Sequence, residues 1–208
     1  MSSLSHAIVQ GDFEDAIKML KNGADPNSDN LNVKILPIFF ALEHKHEELV
    51  DLLLQKGADA NARQPTGETV LMSAVETGNL NIVEMVLMAG GRIEDKGGRF
   101  DRTALGYACL KSTPEIVLKL IENGANIHIR GGPFGGTPLE DAVMKNSVPI
   151  AEILLQKGAD PKARNEKFHR MPLYYAKNTD TEMIELFKKY GGRKVDGFFE
   201  RFCECDWN

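Results

Sequence analysis

Leu53-Leu54-Gln55-Lys56-Gly57-Ala58-Asp59 returns letter for letter at Leu154-Leu155-Gln156-Lys157-Gly158-Ala159-Asp160. Looser copies stand at Met19-Leu20-Lys21-Asn22-Gly23-Ala24-Asp25 and Leu120-Ile121-Glu122-Asn123-Gly124-Ala125-Asn126. The glycine of this stretch recurs at Gly23, Gly57, Gly90, Gly124, Gly158 and Gly191, in steps of 33 or 34. A fixed step of this size predicts an array of small stacked units, each too small to fold alone. It points to a surface that binds rather than a site that reacts.

Outside that stretch each unit keeps one order: turn, short apolar helix, polar break, second apolar helix, glycine stop. The first helix opens on Leu36-Pro37-Ile38, Thr69-Val70-Leu71, Thr103-Ala104-Leu105, Thr137-Pro138-Leu139 or Met171-Pro172-Leu173. Thr can accept from the unpaired N–H groups of a first turn, and Pro fits a position whose donor is not needed. Three residues on stands Ala: Ala7, Ala41, Ala74, Ala108, Ala142 and Ala176, small enough to let helices approach closely. The second helix carries a stripe at i, i+1, i+4 and i+5, as in Leu49, Val50, Leu53 and Leu54, which predicts one buried face. The glycine then ends the helix in the left-handed conformation.

These motif halves resemble the ankyrin-repeat family: a Thr-Pro-Leu-His-x-Ala helix start and a Leu-Leu-x-x-Gly-Ala-Asp-x-Asn helix end. The resemblance implies an all-α solenoid of six helix-turn-helix units with β-turn or hairpin fingers. The domain is expected over residues 1–192, with units at about 2–34, 35–67, 68–101, 102–135, 136–169 and 170–192. The His of the motif is missing; Phe39, Met72, Gly106, Glu140 and Tyr174 fill its column. Polar letters at the last unit, Lys177 and Lys188, fit a terminal repeat. Residues 193–208 form a tail with Val195, Phe198, Phe199 and Phe202 at helical spacing, followed by Trp207. It reads as a short helix covering the last repeat, as a partner- or membrane-touching element, or as a frayed end.

The resemblance also implies a function, since ankyrin-like arrays bind other proteins through their fingers and first helices. Among the fingers, Phe100, Phe134 and Phe168 stand 34 apart, where earlier fingers have Val33 and Thr66. Aromatics are common there in the family. Two readings of the column stand: rings propping each finger against the next, or a ladder that takes an extended peptide. Arg99, Arg102, Lys167, His169 and Arg170 flank it, with Asp95, Asp101 and Glu166 as counter-charges. Phe40, Tyr107 and Tyr175 precede the repeated Ala, and Leu110 and Met144 follow it. The partner-binding set is therefore Phe40, Phe100, Arg102, Tyr107, Leu110, Phe134, Met144, Phe168, Arg170 and Tyr175. Aromatic residues and Arg are the types enriched at binding hot spots. The expected partner is an acidic, partly apolar segment of another protein.

Composition narrows the alternatives. The chain has 208 residues, 42% of them apolar, enough for a continuous core, and a formal charge of −5, which disfavours nonspecific DNA binding. The three cysteines, Cys109, Cys203 and Cys205, give no disulfide framework and suggest a reducing compartment. The N-terminus shows no signal sequence, and no apolar run approaches the ~18 residues of a membrane span. An intracellular, cytoplasmic monomer is expected, without cofactor or metal. No phosphate loop or nucleophile elbow occurs, so no catalytic residue is assigned. Gly131-Gly132-Pro133-Phe134-Gly135-Gly136 reads as turn geometry before phosphate cradling. His44 and His46 are two apart, so their side chains diverge, and Cys203 with Cys205 makes half of a structural zinc set. The leading function is a non-enzymatic adaptor, scaffold or inhibitor. A secreted or viral effector acting on a host protein, a nucleic-acid or nucleotide binder using basic fingers, and a regulatory subunit working through its tail stand as alternatives.

Overall fold

The computed structural model describes residues 3–28, 35–111, 113–176 and 181–192. The tail and Lys177, both read from sequence above, lie outside the described residues, as does Val33. The chain divides into two compact units, Met1–Arg99 and Phe100–Asn208.

The first unit holds three helix pairs: α1 (Leu4–Gln10) with α2 (Phe13–Lys21), α3 (Pro37–Glu43) with α4 (Glu47–Gln55), and α5 (Val70–Thr77) with α6 (Leu80–Met88). First helices pack on first helices, α1 on α3 and α3 on α5. Second helices do the same, α2 on α4 and α4 on α6. The second unit repeats this with α7 (Ala104–Lys111) and α8 (Pro114–Glu122), then α9 (Pro138–Met144) and α10 (Val148–Gln156). It closes with a 3-10 turn, Pro172–Tyr175, and α11 (Thr181–Lys189). Here α7 packs on α9, α9 on the 3-10 turn, α8 on α10 and α10 on α11. The expected all-α ankyrin class holds. Among the described residues there are no strands, and the fingers show two isolated bridges, Arg63–Thr69 and Gly131–Gly136.

The repeated letters have identifiable tasks. Ala41, Ala74, Ala108 and Ala142 are fully buried. Leu49, Val50 and Leu53 are buried; so are Ile82, Val83 and Val86, and, in the second unit, Ile116, Val117 and Leu120. The fourth stripe position is different: Leu54, Leu87 and Ile121 are half-buried, and of these columns Leu155 alone is closed off. All six repeat glycines take positive φ, from 78° at Gly191 to 96° at Gly158. At Gly57 an added Cβ would meet nothing within 4 Å, so backbone conformation and not space demands glycine there.

The Asp-x-Asn that follows is a two-part clamp. Asp59 Oδ1 accepts from the Asn61 N–H at 2.8 Å and holds the turn. Asn61 then spans to the next repeat: its Nδ2 donates to the Gly90 carbonyl at 3.1 Å, and its Oδ1 accepts from the Arg92 N–H at 2.8 Å. Asn27 makes the same pair of bonds to Gly57 O and Asp59 N, both at 2.9 Å.

Two expectations need correction. The first helix of the sixth repeat is a single 3-10 turn, and the chain turns extended at Ala176 (φ −67°, ψ 139°), which is not fully buried. Thr capping is also uneven. Thr69 Oγ1 accepts from the Met72 N–H at 3.2 Å and Thr103 Oγ1 from Gly106 at 3.4 Å, whereas Thr137 makes no cap bond. At α9 the first-turn proline alone performs the start.

Candidate functional site

Of the ten residues read as partner-binding, nine fall in the second unit. Phe40 falls in the first, half-buried on α3 beside a cleft that Gln64 and Ser73 also line.

In the second unit the fingers stack through their backbones. The Glu166 N–H donates to Gly135 O at 3.3 Å and the Lys167 N–H to Phe134 O at 3.1 Å. One finger earlier, the Gly132 N–H donates to Phe100 O at 2.8 Å. This register brings rings of the aromatic column together. Phe134 and Phe168 lie 5.4 Å apart, tilted by 51°. Phe134 also lies nearly parallel to Tyr175 at 5.8 Å. Phe134 is thus held between finger and helix turn, while Phe168 stays 40% exposed. Phe134 packs on both its neighbours, and Phe168 keeps part of its ring at the surface.

Cations sit over these rings. The Arg170 guanidinium lies 4.0 Å from the Tyr174 centroid and 4.8 Å from that of Phe168. Lys167 Nζ lies 5.3 Å from Phe168 and 6.0 Å from Phe134. Such contacts fix a cation's position, and Arg170 is held further by a side-chain hydrogen bond to Tyr175.

Arg102 does not belong to this surface. It is 6% exposed and forms a bidentate pair with Asp141, Nη2–Oδ1 2.8 Å and Nε–Oδ2 3.1 Å. The finger turns inward at Asp101, which takes φ 50°, so the next side chain enters the core. Burial pushes the Asp141 carboxyl up, and the Arg102 hydrogen bond and charge oppose that. The other candidates are scattered: Tyr107 and Leu110 are half-buried on α7, Met144 is 41% exposed at the end of α9, and Phe100 is 40% exposed with Arg102 5.5 Å from its ring.

Two residues that sequence reasoning did not place in the site organise it. Asn165 is 1% exposed. Its Oδ1 accepts from the N–H groups of Phe168 (3.0 Å) and Arg170 (3.5 Å). Its Nδ2 donates to the Tyr175 hydroxyl at 2.7 Å and to Glu140 Oε2 at 3.0 Å. Glu140 is 3% exposed. Burial pushes its carboxyl up to about 7; the Asn165 hydrogen bond works against that, and the Asp141 charge adds to it. Gly136 lets the chain pass this carboxyl, because a Cβ there would strike Glu140 Oε1. The glycine-rich finger therefore serves close approach and turn geometry, with Gly132 at φ 80° and Gly135 at φ 64°. Glu140 was visible as the acidic letter in the missing-His column. Asn165 stands where the two fingers before it carry Gly131 and Gly97, so no column marked it.

Several basic finger residues bind the protein itself. Arg63 Nη1 donates to Gly67 O at 3.1 Å and to Lys96 O at 2.7 Å, and its Nη2 pairs with Asp95 Oδ2 at 2.9 Å. Arg130 Nη1 donates to Gly135 O and Arg164 O, and Arg164 Nη1 to His169 O. His46 Nδ1 accepts from the Leu49 N–H and caps α4. Cys109 is buried, and burial raises its thiol pKa. Among the described residues no group of three or more His, Cys, Asp or Glu could hold a metal, and no helix is long and apolar enough to cross a membrane.

A family model for ankyrin repeats (three copies) matches residues 4–97 and 88–165. A rice protein named "Probable E3 ubiquitin-protein ligase XBOS33" is 39% identical over 72 residues, 35% of this chain and 14% of its own length. The Arabidopsis thaliana E3 ubiquitin-protein ligase XBAT33 is 36% identical over 74 residues, 36% of this chain and 14% of its own. The mouse B-cell lymphoma 3 protein homolog is 30% identical over 90 residues, 43% of this chain and 20% of its own. The match thus spans a fifth or less of each of these relatives.

Proposed function

The chain belongs to the ankyrin-repeat family, whose repeats are protein-binding modules, and from that premise we propose that it is a non-enzymatic adaptor, scaffold or inhibitor whose docking surface lies on the fingers of its second compact unit. Phe168, Arg170 and Lys167 form the centre of that surface, backed by Phe134 and Tyr175. The partner is a segment of another protein that carries a carboxylate beside an apolar side chain.

One observation carries this reading: Arg170 is already seated between Phe168 and Tyr174. A free arginine loses side-chain entropy when it binds; a clamped one has lost most of it beforehand. The planar guanidinium matches a carboxylate edge to edge, and exposed Phe168 supplies apolar area next to it. From the ligase relatives only the repeat array carries over, because the matched stretch is 14% of their length. Of the basic finger residues that suggested a nucleic-acid site, Arg102 is withdrawn, since it is buried against Asp141.

The test is affinity capture from lysate with three proteins: wild type, a Lys167→Glu/Arg170→Glu variant, and Met88→Ala as a control at an 82%-exposed site in the first unit. The expected result is a protein retained by wild type and control and lost by the charge reversal, with helicity unchanged. Equal retention by all three would remove the surface from consideration.

A further inference from the structure

Much of the finger surface hangs on one buried carboxamide. Asn165 receives the N–H groups of Phe168 and Arg170 and donates to the hydroxyl of Tyr175, whose ring lies parallel to Phe134. The carboxamide in turn rests on Glu140, at 3.0 Å. No cation is bonded to that carboxyl among the described residues. The two that act on it, Arg130 and Arg102, are engaged, one with the carbonyls of Gly135 and Arg164 and the other with Asp141. Asp141, the next residue on α9, is itself 6% exposed.

Ionising Glu140 places a second negative charge next to Asp141 in a closed site. Burial of this kind favours the protonated form, which is why the carboxyl is raised to about 7. Water is the solvent the ionised group lacks, and the finger carrying Asn165 covers it. The Asn165 bond favours the carboxylate, but the loss of solvent is the larger effect.

We propose that Asn165 and Glu140 are positioning residues for the docking surface, and that loss of the Glu140 proton loosens the finger carrying Phe168 and Arg170. The surface is set in mildly acidic solution and slack in alkaline solution. The inference rests on the reading of that surface as a docking site, but its structural half is measured without any partner. The groups facing Glu140 are Asp141 on its own helix, Arg102 and Arg130 from the preceding fingers, Asn165 from the finger that ends its own repeat, and Tyr175 from the next repeat, with Arg170 bonded to Tyr175 behind it. Glu166 packs on Gly135 of the neighbouring finger turn, and exposed His169 lies within the moving finger, so both are controlled for.

The experiment follows the backbone amides of Phe168 and Arg170 in the full chain by NMR from pH 5.5 to 8.5. It compares wild type, Glu140→Gln, Glu166→Gln and His169→Asn. Gln keeps an oxygen for Asn165 Nδ2 while removing the proton equilibrium, and Asn tolerates the φ of 51° at position 169. The expected result is a shared midpoint near 7 in wild type, Glu166→Gln and His169→Asn, and flat amides in Glu140→Gln. Unmoving wild-type amides, a titration that survives Glu140→Gln, or one abolished by Glu166→Gln or His169→Asn would overturn the proposal. Direct carbon detection of the Glu140 carboxyl in wild type guards against a misfolded variant; a midpoint below 6 overturns it as well. Capture at pH 6 and pH 8 then reads the link to binding. Several-fold loss at pH 8 in wild type, absent in Glu140→Gln, supports it. Equal capture at both pH values overturns the link, whereas absence of any captured protein with titrating amides counts against the docking surface and leaves the structural switch intact.

Discussion

Arg102 and Asp141 face each other as a buried bidentate ion pair, 39 residues apart in sequence and 2.8 Å apart at their closest atoms. The pair ties the finger that opens α7 to the helix of the following repeat. Removing one partner leaves the other charge in a closed site. Arg102→Ala is expected to destabilise the second unit by about 3–5 kcal/mol, read by urea unfolding. The double substitution Arg102→Met/Asp141→Leu should recover much of that loss, because the cost lies in the orphaned charge more than in the missing bond. A single change costing under about 1 kcal/mol would mean that the site opens to water.

The pH dependence of stability has a definite sign. The ordinary Glu value is 4.5 and the folded value at Glu140 is about 7. The folded state therefore holds this proton more tightly than the unfolded chain does. Its contribution is fully present below about 4.5 and is lost as pH rises through about 7. Asp141, also raised, acts in the same direction over its own range. The melting temperature should fall between pH 5 and pH 8, and Glu140→Gln should flatten most of that fall. A wild-type profile rising over this interval would contradict the burial of Glu140.

Two glycines should fail for different physical reasons. Gly57→Ala has room, with nothing within 4 Å, but must hold φ 92°, at a cost of roughly 1 kcal/mol. At Gly136 the added methyl strikes the Glu140 carboxylate, with a cost of about 1–3 kcal/mol from overpacking. Only the second should disturb the Phe168 and Arg170 amides. Calorimetry together with amide spectra separates the two cases.

Asn61→Ala removes both bonds to the next repeat, to Gly90 O and from Arg92 N. The expected loss is about 1–3 kcal/mol, with faster hydrogen exchange at Arg92. Asp59→Ala, which breaks only the local turn bond to Asn61, should cost less than Asn61→Ala.

The fold was legible because its rules are periodic. Gly57 and Leu53 recur at a fixed step and meet the same surroundings each time, and the Ala74 column does so up to Ala142. The site was legible in part. The spacing of Phe134 and Phe168 placed two rings in contact, since stacked fingers carry equal positions next to each other. Arg102 misled because a finger charge was read as facing a partner; the inward turn at Asp101 and the buried Asp141 partner are tertiary facts. Asn165 escaped notice for the opposite reason. It breaks the repeat, and a residue that serves one location leaves no periodic trace. The 3-10 turn at Pro172–Tyr175 belongs to the same class: its Met171-Pro172-Leu173 start looks like the others, while the chain after Tyr175 departs from helix.

The asparagine clamps, Arg63 and Arg130 share a choice of target, whereas Arg102 takes the Asp141 side chain. Asn27, Asn61 and Arg130 reach main-chain atoms of the succeeding repeat, and so does Arg63 through Nη1. Only the second nitrogen of Arg63 takes a side chain there, the Asp95 carboxylate. Coupling of this kind is largely indifferent to the letters displayed on either neighbour. A repeat can exchange Thr66 for an aromatic, or Phe168 for a charge, without renegotiating its attachment. The array separates the grammar that joins its units from the vocabulary it shows to partners, and natural variation is free to rewrite the second while the first stands still.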